Sequence, residues 1–232
     1  MEDKLAGLES ITSQIWNKFA NDRIALSPQM KKCIALFIST LIFRHPDNLD
    51  KNEHMKLFLY NEVMKNIPKG ETQFTFLANG KESIIDVSEM EEALNASEYD
   101  KSMYFIDNID YFALDCAERL VKKKWSIIAS EEKVFITSDR PVVISNPKTG
   151  LLGIESPGVI ISLPLSPTRL LILEDNINNE ENLIEYPLNK GHAAFYNAPI
   201  WSNSYRYIIG HNDLEEVISE IFEYLKYDNR TL

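Results

Sequence analysis

The hydrophobic period of this chain changes at Trp125, from near 3.6 residues before it to near 2 after it, and that change confines the fold to helices followed by a β-layer. Ahead of it, Leu5, Leu8, Ile11, Ile15 and Phe19 recur at helical spacing until Asn21-Asp22. Ser27-Pro28 reads as an N-cap and first helical residue, and the helix it starts should run through Ile34, Phe37, Ile38 and Leu41 to Arg44, where His45-Pro46 stops it. Met55, Phe58, Leu59, Val63 and Met64 mark a third helix, closed by Pro68-Lys69-Gly70. Asn79-Gly80 sits between the β-prone runs 73–77 and 83–87 and predicts a hairpin. Ser88 with Glu91 has the spacing of a capping box for a short helix. A long helix is expected over 102–124, with Met103, Ile106, Ile109, Phe112, Ala113, Cys116, Leu120 and Val121 as its buried stripe.

Beyond Trp125 the alternation predicts strands at 125–129, 134–137, 142–145, 159–163, 170–173 and 206–209, with turns at 146–150 and 156–158. An Ala-rich helix over 191–198 should end before Pro199, and Asn212-Asp213 should cap a last helix, 214–226. The reading is α+β: a helical N-terminal half, 1–124, packed on a mostly antiparallel β-sheet in 125–232, with a C-terminal helix closing a single domain, 1–232.

The 232 residues include 24 Lys and Arg against 35 Asp and Glu, a net charge of −11 that makes nucleic acid a poor partner. Lys122-Lys123-Lys124, the clearest basic cluster, reads as a solvated helix end favoured by the dipole. Cys33 and Cys116 lie in apolar helical patterns without the spacing of a zinc or redox motif, and are expected to be buried thiols of a reducing cytoplasm. The acidic start, Met1-Glu2-Asp3, is unlike a signal peptide. The apolar run 33–43 would rise only about 16 Å against a bilayer core of about 30 Å, so no membrane association is expected.

Chemistry concentrates at Ser138-Asp139-Arg140-Pro141. Pro141 forces Arg140 into extended geometry, so Ser138 and the Asp139 carboxylate are fixed at a sheet rim. Such a carboxylate could be a general base, a metal ligand or a ligand anchor; equally, it could accept the backbone N–H groups of an Asx-type turn. Arg44, ending an apolar helix, could grip an anionic ligand, pair with Asp139, or cap its own helix. His45, His54, His192 and His211 never occur at i, i+4 spacing, so no metal site and no cofactor is predicted. Asp115 with Glu131-Glu132-Lys133 only faintly matches a metal-dependent nuclease, and Asp107, Asp110, Asp115 and Glu118 read as a solvated face. Tyr196, Trp201, Tyr205 and Tyr207 gather aromatics around Pro199, suited to core packing or to an interface in which Trp201, Tyr205 and Arg140 meet a partner.

The run Trp125-Ser-Ile-Ile, then Val134-Phe-Ile-Thr-Ser-Asp-Arg-Pro-Val-Val143, then Gly158-Val-Ile-Ile-Ser-Leu-Pro-Leu-Ser-Pro167 resembles a bacterial family catalogued as domain of unknown function 4238. Asp139 matches the family's aspartate, while Arg140 stands where members usually carry Asn. Residues 38–46, ending Arg44-His45-Pro46, are similar to its Arg-x-Pro helix end, and Asn189, His192-Ala193-Ala194 and Tyr205-Arg206-Tyr207-Ile208 to its closing helix and strand. The family's opening His-x-x-Pro-x-x-Tyr-Leu segment has no counterpart here, so a site that used that histidine would be incomplete. Two functions follow as expectations. One is a cytoplasmic bacterial or phage accessory protein that binds another protein, in phage–host conflict as defence or its inhibition. The alternative is a metal-dependent hydrolase or nuclease centred on Asp139 and Arg44, using a divalent cation.

Overall fold

In the computed structural model the described residues are 2–22, 24–45, 47–78, 81–147, 150, 153–178, 183–189, 191–211 and 214–227. They form two compact units: one joins Met1–Ile42 to Tyr111–Leu232, the other is Phe43–Asp110.

The first unit is built on a five-stranded sheet in the order β5-β6-β7-β3-β8. Its strands are β3 (Lys124–Ala129), β5 (Val143–Ser145), β6 (Ile160–Ser166), β7 (Arg169–Glu174) and β8 (Ile184–Pro187). All neighbours pair antiparallel except β3 with β8, which run parallel. The register places Ile161, Leu173 and Trp125 in one row and Leu163, Leu171 and Ile127 in the next, on a single face of the pleat. The opposite face carries Val143, Ile172 and Leu170. All of these side chains are buried, which explains why β7 reads as an unbroken apolar run and not as alternation.

Helices α1 (Glu2–Asn21) and α2 (Pro28–Phe43), with the end of α5 (Glu98–Lys122), serve the Trp125 face. Ser166 Oγ donates to the Ala20 carbonyl (3.1 Å), Trp125 Nε1 donates to the Leu120 carbonyl (2.9 Å), and Lys31 Nζ lies 5.4 Å from the Trp125 ring centre. The expected cap of α2 is present: Met30 N donates to Ser27 Oγ at 3.2 Å. In α1 the buried stripe differs from expectation. Phe19 is buried as predicted, but Ile11 is exposed and Thr12 takes the inward position, with Trp16 meeting Phe19 and Phe37 edge-on. Tertiary packing has rotated the helix by about one position.

Helices α6 (Ala193–Asn203) and α7 (Leu214–Tyr227) cover the other face. Ala198, Ile200 and Ile221 pack there with Phe135, Ile136, Val143, Leu170 and Ile172. The sequence stops α6 before Pro199, yet the helix continues to Asn203 with the proline inside it. Burying Ala198 and Ile200 on both sides of the ring offsets the roughly 3 kcal/mol that an interior proline costs.

Segment 134–137 is not the full strand its alternation predicts. Only Thr137–Ser138 (β4) pairs, with Ile208–Ile209 (β9). Residues 134–136 are instead completed by a side chain: Asn197, wholly buried on α6, donates Nδ2 to the Val134 carbonyl (2.7 Å) and accepts the Ile136 N–H at Oδ1 (3.2 Å). Phe135 N donates to the Pro167 carbonyl (2.9 Å). An asparagine thus replaces a neighbouring strand.

The basic run 122–124 also departs from the solvated end expected. Lys123 is only 6% exposed and donates to Asp175 Oδ1 at 2.6 Å, while Lys124 pairs with Glu174 at 3.2 Å. Asp175 Oδ2 accepts the N–H of Gly158 (2.7 Å), whose φ of +81° suits glycine at this turn.

The Phe43–Asp110 unit holds α3 (Asp47–Asn66), the antiparallel hairpin of β1 (Gln73–Ala78) and β2 (Lys81–Asp86), α4 (Val87–Asn95) and the first half of α5. Ala78 pairs with Lys81, as a two-residue connection requires; the Asn79-Gly80 turn itself lies outside the described residues, as does the Asn212-Asp213 cap. Asp86 caps α4 in place of Ser88, its carboxylate accepting the Ser88 N–H at 2.9 Å. Along α3, Val63 is buried but Met55, Phe58, Leu59 and Met64 stay exposed, so most of the apolar stripe that marks this helix in sequence is surface.

Of the two cysteines, Cys116 is buried and Cys33 only half-buried, a correction to the pair of buried thiols expected. Burial pushes the Cys116 thiol up to about 11, against a smaller lowering by Ser39. At pH 8, iodoacetamide is expected to label Cys33 and to leave Cys116 unmodified until the chain is unfolded, which peptide mass spectrometry would check. Replacing Asn197 by Ala strands a buried N–H and a buried C=O. Urea titration should show a loss of about 2–4 kcal/mol.

Candidate functional site

The Thr-Ser-Asp-Arg-Pro corner is assembled from two distant stretches of chain. Thr137 pairs with Ile209 and Ser138 with Ile208, and the ladder continues through Asp139 N, which donates to the Tyr207 carbonyl at 3.2 Å. Beyond that point the backbone turns at Pro141 and side chains take over. Ser138, buried, accepts the Arg140 N–H at its Oγ (3.1 Å). Asn203, at the end of α6, donates Nδ2 to the carbonyls of Arg140 (3.1 Å) and Val142 (3.2 Å). The Asp139 carboxylate bridges across: Oδ1 accepts the Tyr205 N–H at 3.0 Å and Oδ2 the Arg206 N–H at 2.8 Å.

The sequence offered an Asx-type turn as one reading of Asp139; the carboxylate does accept backbone N–H groups, but they are not those of its own turn. The captured N–H groups come from 66 and 67 residues further along, so the carboxylate fastens the loop after α6 to the β4 corner. Desolvation at the corner pushes the carboxyl up, but the N–H donors of Tyr205, Arg206 and Tyr207 outweigh it and hold Asp139 below the ordinary aspartate range. An ionised group with both oxygens accepting main-chain hydrogen bonds is a strong anchor and a poor proton acceptor.

What the corner displays is Tyr205. The residue is 57% exposed, with the Arg140 guanidinium 5.2 Å and that of Arg206 5.0 Å from its ring centre. Tyr207 is exposed beside it. Trp201 is placed differently: its indole meets Phe222 edge-on at 5.4 Å and packs against the core cluster, and Tyr196 likewise meets Phe135. Of the aromatic group read from the sequence, two rings are therefore turned to packing and two are displayed.

Arg44 lies just past the end of α2, in the Phe43–Asp110 unit, whereas Ser138, Asp139 and Arg140 belong to the other. Asp115 is held by Arg119 (2.9 Å), a hydrogen bond that keeps its carboxyl low. In 131–133, Glu132 N donates to Ser130 Oγ (3.1 Å) and Lys133 Nζ contacts His211 Nε2 (3.1 Å). Among the described residues no group of three His, Cys, Asp or Glu could hold a metal ion, and no helix is long and apolar enough to cross a membrane. A cavity of 650 Å³ lies in the Phe43–Asp110 unit between α3, α4 and α5. Its charges serve one another: Glu53 takes Lys56 (2.8 Å) and Lys101 (3.4 Å), and Tyr60 donates to Glu91 (2.7 Å).

Asn197, Asn203 and Arg206 escaped the sequence reading. A signal existed for Asn197 alone: an amide inside an Ala-, Phe- and Ile-rich helix has no apolar role, so it must serve a backbone.

The chain matches the family described as protein of unknown function, DUF4238, over residues 1–213. It belongs to that family. The DUF4238 match ends just ahead of α7 (Leu214–Tyr227), so the helix that seals the core with Ile221 lies beyond it. No curated protein and no solved structure matches the chain.

Because the folded Asp139 carboxyl titrates below its unfolded value, its contribution to stability is complete above about pH 4 and is lost as pH falls through the folded value. Thermal unfolding from pH 7 to pH 2.5 should show this loss. Asp139→Asn should unfold at lower temperature near neutrality and converge on the wild type at the acid end.

Proposed function

We propose that this DUF4238 chain acts by binding a protein partner, as an accessory protein of a bacterial or phage cytoplasm, and carries out no chemistry at Asp139. The observation that carries the reading is the display of Tyr205 between two guanidiniums on a corner held by side-chain hydrogen bonds. Tyr and Arg are the residues that most often dominate binding energy at interfaces, and a side chain already held in place loses little entropy on docking. Arg140 and Arg206 concentrate positive charge on a chain whose net charge is −11, so the partner surface should present carboxylates. The uncovered Met55, Phe58 and Leu59 of α3 add a second apolar surface of the kind that binding proteins keep. Phage–host conflict, as defence or its inhibition, is the setting proposed for such a partner.

The hydrolase alternative needs Asp139 to accept a proton or a cation, and both its oxygens are engaged by the main chain. Two measurements separate the readings. Affinity capture from a bacterial lysate is expected to retain a partner that Tyr205→Ala and Arg140→Glu each release, by about thirtyfold in affinity for a residue worth about 2 kcal/mol. RNA, DNA and nucleotides with Mg²⁺ or Mn²⁺ should go unturned. Cation-dependent hydrolysis that disappears in a folded Asp139→Ala protein would overturn the proposal.

A further inference from the structure

A second feature of the larger unit is independent of the Asp139 corner. The β3–β8 pair is parallel, with Ser126 beside Ile184 and Ala129 beside Pro187, so both strands finish at the same edge of the sheet. The chain then leaves β8 through Leu188 and Asn189 and enters α6 at Ala193. A cavity of 330 Å³ opens there. In open α/β sheets ligands bind in the crevice beyond the carboxyl ends of parallel strands, and here one edge pair presents two such ends side by side.

The walls state what the cavity would take. Three rings line it, Tyr186, His192 and Tyr196, over an apolar floor that includes Ile128 and Leu188. Among the described residues the lining holds no carboxylate, lysine or arginine, so what these walls offer is aromatic and amide chemistry. Asn189 belongs to the lining, and its side-chain amide carries a donor and an acceptor side by side. The frame is fixed: Leu188 N donates to the Ala129 carbonyl (2.6 Å), His192 N donates to the Asn189 carbonyl (3.1 Å), and the Tyr196 ring meets Phe135 and Phe195 edge-on at 6.4 and 5.0 Å. Burial raises the Tyr196 phenol, with Glu174 adding to the effect, so it stays protonated as a donor.

We infer that this cavity binds a planar heteroaromatic ring of nucleobase size, stacked on its tyrosines and read along one edge by the Asn189 amide. Its volume is near the lower end of small-ligand pockets, about 300–1,000 Å³, and suits one base with its sugar and not a dinucleotide. Base stacking on aromatic side chains contributes about 1–3 kcal/mol, and an amide that gives and takes a hydrogen bond matches base edges.

Adenosine, guanosine, cytidine and uridine are each titrated into the full chain, followed by calorimetry and saturation-transfer NMR. At least one is expected to saturate below millimolar concentration. Tyr186 and Asn189 are exposed, so Tyr186→Ala and Asn189→Ala should keep the wild-type melting temperature while each weakens that nucleoside about tenfold. Tyr205→Ala should bind it as the wild type does, which keeps this site distinct from the partner-binding corner. Failure of every nucleoside to saturate at millimolar concentration overturns the inference. So does unchanged binding in both cavity variants, or equal loss in Tyr205→Ala.

Discussion

An extended segment without a full strand partner is the constraint that the larger unit is organised around. Over 134–141 the backbone passes beneath α6, and its donors and acceptors are satisfied by Asn197 and Asn203 from that helix, while Asp139 in return gathers the N–H groups of the loop that follows it. Each polar backbone group left unpaired in such surroundings would cost about 1–3 kcal/mol. The three side chains therefore fix where α6 lies on the sheet, and α6 in turn presents Ile200 to the core and the 205–207 loop to the outside.

That arrangement bears on function through the use of a single carboxylate. Asp139 looks like a catalytic residue in sequence because an aspartate at a sheet rim before a proline is held in place. The immobility comes from its own hydrogen bonds, and each oxygen already accepts a main-chain N–H, which lowers the basicity that acid–base chemistry would need. The held carboxylate instead positions Tyr205 between Arg140 and Arg206, and a tyrosine presented in this way is suited to recognition. The membership in DUF4238 covers this corner, and α7 closes the core behind it from beyond the matched residues.

Much of the sheet was legible because local pattern and burial agree there. β3, β5, β6 and β7 fall close to the alternating or continuous apolar runs that predicted them, and Ser27 caps α2 where a hydroxyl before Pro28 should. β8 was not read: Ile184-Glu185-Tyr186-Pro187 is short and half-polar, and it becomes a strand through pairing with β3 at the sheet edge, where a proline is tolerated. α6 was cut short because Pro199 stops an isolated helix, while the core on both sides of it holds this one together. The cavity by Asn189, His192 and Tyr196 was equally hidden, since it exists only through the parallel register.

By itself the sequence determined the class of fold and its order, helices and then a β-layer with a closing helix, because side-chain period is a local property that every residue reports directly. It also marked 137–141 as the stiff corner, since proline restricts the backbone whatever surrounds it. Only the tertiary structure decided what that corner holds. Whether a carboxylate is free to react depends on which N–H groups reach it, and those of Tyr205 and Arg206 arrive from across the chain.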